Sequence, residues 1–117
     1  MSWKEILKFE TKKTLLQRYE DLKIVIIEGI EKFGGTFGSE EEPNTIAGRL
    51  ASIKEILDKE DYEGTSDELF SQMYKHISKL QDEFNDWPLD ESIDLRHSLA
   101  DLFLAYKRKI IFIKEQE

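Results

Sequence analysis

The sequence predicts an all-α protein, an antiparallel up-down-up-down four-helix bundle with a short N-terminal arm, folded as one domain over 1–117. Three observations carry that expectation. Apolar residues recur at spacings of three and four in four separate stretches, the signature of helices with one buried face. Stop and start signals separate the stretches: Gly34-Gly35, Pro43-Asn44-Thr45, Thr65 with Glu68, and Trp87-Pro88. No stretch alternates polar and apolar residues between turn signals, and the short apolar runs 24–27 and 110–113 lie inside longer helical patterns.

The first helix is expected over 11–33, with Leu15, Tyr19, Leu22, Ile26, Ile30 and Phe33 on its inner face. Gly34-Gly35 ends it, because glycine adopts at low cost the left-handed conformation that releases the last carbonyls. A loop rich in glutamate leads to Pro43, and Asn44 or Thr45 caps a second, shortest helix carrying Ile46, Leu50, Ile53 and Leu57. Thr65 and Glu68 have the spacing of a reciprocal capping box, which opens a third helix with Phe70, Met73, Ile77, Leu80 and Phe84. Trp87-Pro88 closes it, since the residue before a proline is pushed out of helical geometry. Asp90 or Ser92 is placed to cap the fourth helix, striped by Leu95, Leu99, Leu102, Tyr106, Ile110 and Ile113.

Residues 1–10 are expected to form an arm, because Trp3, Ile6, Leu7 and Phe9 are out of phase with the stripe beginning at Leu15. Ser2 and Glu5 have capping-box spacing for a short helix there, with Trp3 covering an open end of the core. Short connections favour antiparallel neighbours. That topology gathers Lys12, Lys13, Arg18, Lys107, Arg108, Lys109, Lys114 and the connection around 58–63 at one end, as a basic and solvated surface.

Composition narrows the function classes. There is no cysteine, which removes disulfides, thiolate nucleophiles and cysteine-type metal sites. With no apolar run of the length of a signal or membrane segment, a cytoplasmic location is expected and no membrane association. The net charge of −8 repels nucleic-acid phosphates, so no nucleic-acid partner is expected. No cofactor is expected either. His97 points away from the helical stripe between Asp94 and Asp101, and no histidine or cysteine elsewhere matches it as a zinc ligand set.

Two patterns compete as sites. Glu28-Gly29-Ile30-Glu31 and Glu91-Ser92-Ile93-Asp94 have the Glu-x-x-Glu and Glu-x-x-Asp spacings with which magnesium-dependent all-helical nucleotide pyrophosphohydrolases hold a cation against phosphates. Carboxylates three apart share a helix face. Both motifs are short in a chain this acidic, so catalysis is the lesser expectation. The other pattern is surplus apolar surface. Leu16, Ile24 and Ile27 lie roughly 100–180° from the inner stripe of the first helix, and Ala100, Leu104 and Ile111 lie opposite that of the fourth. Leu16, Ile24, Ile27, Leu104 and Ile111 therefore predict an interface, with a homodimer or another protein as partner, in a non-enzymatic interaction or scaffold protein. A third expectation, an acidic inhibitor or immunity-type protein that neutralises a basic partner, rests on charge alone.

Overall fold

In a computed structural model, the backbone is described for residues 3–59 and 62–116, and the side chains for 14–59 and 62–116. Among these residues there are four helices and no strand: α1 (Trp3–Phe33), α2 (Ile46–Asp58), α3 (Ser66–Glu83) and α4 (Ile93–Glu115). They pack as a ring in which α1 touches α2 and α4, and α3 touches the same two. Lys32 near the end of α1 pairs with Glu91 just before α4, and Phe70 early in α3 lies under Lys107 late in α4. Neighbours in the ring are thus antiparallel, as the short connections require. No helix of the described residues is long and apolar enough to cross a membrane.

Four inward stripes meet in one core. Leu15, Leu22, Ile26, Leu50, Ile53, Leu57, Met73, Leu80, Phe84, Leu99, Leu102 and Ile110 are essentially inaccessible to solvent. The stripes of α2 and α4 are buried at every position the periodicity picks out. On α3 the buried residue of the first turn is Leu69, while Phe70, expected inside, lies half-buried on the flank facing α4. On α1, Ile30 and Phe33 are likewise half-buried, because the stripe runs out toward the end of the bundle.

The expected break between an arm and the first helix does not occur. The backbone is helical from Trp3 onward, and Phe9-Glu10-Thr11-Lys12-Lys13 contains no glycine or proline to stop it. A shift in the phase of apolar positions changes which face is apolar; it does not interrupt the hydrogen-bond ladder. At 1.5 Å per residue the 31 residues of α1 span ~46 Å, matching the longest dimension of the molecule, 46 Å. The packing of Trp3 and its neighbours lies outside the described side chains.

The ends of the helices follow local chemistry. Gly34 and Gly35 have φ of 90° and 121°, left-handed values that end α1, and the Gly34 amide donates to the Ile30 carbonyl. Thr45 Oγ1 accepts from the Gly48 amide at 3.1 Å and opens α2. Thr65 and Glu68 form the reciprocal box: the Glu68 amide donates to Thr65 Oγ1 and the Thr65 amide to Glu68 Oε2. Ser92 stands at the cap position of α4 but does not cap it. Its buried hydroxyl donates to the Pro88 carbonyl at 2.7 Å and accepts from Arg96 Nε at 3.2 Å, while Arg96 Nη2 donates to the Phe84 carbonyl. This chain of bonds fastens the α3–α4 connection to α4 from the inside.

Candidate functional site

Three of the four carboxylates of the acidic pattern border one shallow groove between α1 and α4, about 220 Å³ in volume. Glu28, Glu91 and Asp94 line it; Glu31 does not. Lys32, paired with Glu91 at 3.6 Å, and Trp87 line the same groove. No group of three or more carboxylates or imidazoles among the described residues is disposed to hold a metal ion. The groove therefore lacks the convergent oxygen ligands that magnesium chemistry on phosphates needs.

The basic end is also built differently from a solvated surface. Lys109 is buried, with Nζ 4.8 Å from the centre of the Tyr62 ring. Lys114 Nζ donates to the Tyr62 carbonyl at 2.6 Å. Lys107 lies over both Phe70 and Phe103, at 5.2 and 5.7 Å from the ring centres. These lysines cover aromatic surface with their stems and place their charge against ring faces and a carbonyl. These three ammonium groups are engaged within the bundle, while Arg18 and Arg108 are exposed. The connection after α2 does meet the end of α4 through Tyr62, as the topology predicts.

The apolar candidates divide. Leu16 is half-buried and packs against the core, so it is part of the fold's interior edge and not of an open face. Ile24 and Ile27 are exposed on α1, and Leu104 and Ile111 are exposed on α4. The two pairs do not merge into one patch, because they face different sides of the ring. On α1, Val25, Gly29 and Lys32 mark the flank toward α4, Ile27 lies on the other flank and Ile24 points away from the core. On α4, Arg96, Phe103 and Lys107 mark the flank toward α3, and Leu104 and Ile111 lie between that flank and open solvent.

A surface that periodicity alone did not single out joins the α4 pair. Tyr74 of α3 is 56% exposed and its ring lies 5.7 Å from that of Phe103. Phe70, one turn earlier, shares Lys107 with Phe103. The outer line of α4 itself is longer than expected, since Ile93 is 45% exposed and falls on the same face as Ala100, Leu104 (47%) and Ile111 (42%). The spacing of seven, four and seven from Ile93 was available in the sequence. The contribution of α3 was not, because it depends on which helix packs beside α4. Compared with protein-family models, curated proteins and solved structures, this chain matches none.

Proposed function

We propose that this chain is a non-enzymatic interaction protein that works through the outer face of α4 and pairs there with a second copy of itself. The observation that carries the proposal is the second apolar line of α4, Ile93, Ala100, Leu104 and Ile111, widened by Tyr74 and Phe103 at the α3 seam. A helix that serves one core needs a single apolar stripe, and a contiguous exposed set beyond it is the mark of a contact surface.

Charge supports a second copy as the occupant. The exposed part of α4 carries Asp94 and Asp101 in its first half and Arg108 in its second. A two-fold axis near Leu104 lays one α4 antiparallel on the other and brings Asp101 of one copy toward Arg108 of the other, so the face is complementary to itself. Sedimentation equilibrium tests this. At tens of micromolar the chain is expected at twice its 13.8 kDa mass, and Leu104→Glu is expected at the monomer mass with an unchanged helical circular dichroism spectrum. A wild-type monomer at that concentration would sink the proposal.

A further inference from the structure

Across the ring from the groove of carboxylates, the seam between α2 and α3 holds a cleft of about 310 Å³ with Ile56 and Leu69 on its walls and Tyr106 of α4 reaching it from the core. The cleft continues past Ile56, Lys59 and Gln72 into a second hollow of about 250 Å³ that ends at His76. Two polar atoms along this run are buried and have no hydrogen-bond partner among the described residues, Tyr106 Oη and His76 Nδ1. Tyr106 is 1% exposed.

Buried polar atoms in folded proteins are almost always partnered, and each exception asks for a cause. A phenylalanine at position 106 would fill the same space without stranding a hydroxyl. The hydroxyl is also held as a donor, because burial pushes the Tyr106 pKa up to about 12. A molecule that offers an acceptor oxygen to that hydroxyl would lay an apolar body between Ile56 and Leu69. Lys59 and Glu63, of opposite sign, share the mouth, so it selects no net charge. The volume is at the small end of ligand cavities, about 300–1,000 Å³.

We propose that the α2–α3 cleft is a binding site for a small neutral organic molecule with an apolar body and one carbonyl oxygen, the oxygen accepting from Tyr106 Oη. The site lies on a different side of the bundle from the α4 face and stands independently of self-association.

The test uses acetophenone as probe and ethylbenzene, nearly the same shape without the acceptor, as its control, each titrated into the 15N-labelled full chain and followed by amide shifts. Acetophenone is expected to give saturable shifts at Ile56, Leu69 and Gln72 and to bind roughly three- to tenfold tighter than ethylbenzene. Tyr106→Phe is expected to abolish that difference while melting at the wild-type temperature or above it, as removal of a stranded hydroxyl should. Ile56→Trp, which fills the cleft from its half-buried wall, is expected to remove binding of both probes. Equal binding of the two probes, no saturable shift, or unchanged preference in Tyr106→Phe would overturn the proposal. So would a lowered melting temperature in Tyr106→Phe, which would mean that a resident water already satisfies the hydroxyl.

Discussion

The indole of Trp87 lies directly on Gly29, in the space that a side chain at position 29 would occupy: a Cβ there would be 2.8 Å from Cη2 and closer still to Cζ3. The same ring packs on Phe33 of α1 and Phe84 at the end of α3, with centroids 5.3 and 4.6 Å away. Trp87 therefore ties the α3–α4 connection to α1, and it lines the groove that Glu28, Glu91 and Asp94 border. A glycine in the last turns of α1 thus makes room for the seating of the loop.

Gly29→Ala is expected to destabilise the protein by roughly 1–3 kcal/mol, the cost of overpacking, although alanine is the better helix former. Urea denaturation measures it. The double variant Gly29→Ala with Trp87→Ala should lose less than the sum of the two single changes, because the clash disappears with the ring.

Ser92→Ala is expected to cost about 1–3 kcal/mol, well above a surface serine, since it removes the acceptor of Arg96 Nε and the donor to the Pro88 carbonyl at a buried position. Thermal melting compared with Ser39→Ala in the outer loop reads the difference. An effect no larger than that of Ser39→Ala would mean that the buried chain from Pro88 to Phe84 does not hold the connection.

Stability should fall as the solution is acidified below neutrality, and His76 should be one cause. Burial, then the nearby charges of Lys75 and Arg49, hold its pKa below the ordinary 6.5. The unfolded chain then binds the proton more readily than the folded one. The contribution is complete above pH 6.5 and is lost as pH falls from there through the lowered folded value. Urea midpoints at pH 7.5 and 5 should differ less in His76→Gln than in the wild type.

Leu69→Ala and Leu102→Ala are each expected to cost roughly 2–5 kcal/mol as truncations of buried side chains, with Leu69 at the lower end because it borders the α2–α3 cleft. His97→Ala, on the exposed side of α4, should fall within about 0.5 kcal/mol of wild type. Chemical denaturation of the three variants decides whether inside and outside are assigned correctly on α3 and α4.

The sequence by itself determined what depends on neighbours along the chain. Three-and-four spacing fixed the buried lines of α2 and α4, the Gly34-Gly35 pair fixed the end of α1, and Thr65 with Glu68 fixed the start of α3, because each acts within one or two turns of helix. Tertiary structure decided what depends on a second element. Leu69 and Phe70 both extend the inner series of α3 at helical spacing, and only the position of α4 turns Leu69 inward and leaves Phe70 beneath Lys107. Ser92 has the side chain of a cap, yet the carbonyl of Pro88 and the guanidinium of Arg96 claim its hydroxyl. Lys109 has the composition of a solvated dipole-end lysine, but Tyr62, arriving from a distant connection, buries it. The same limit governs the candidate sites. Helical phase exposed Leu104 and Ile111 in advance, whereas Tyr74 beside Phe103, and Tyr106 opening into the α2–α3 cleft, exist only because packing brings separate helices to one place.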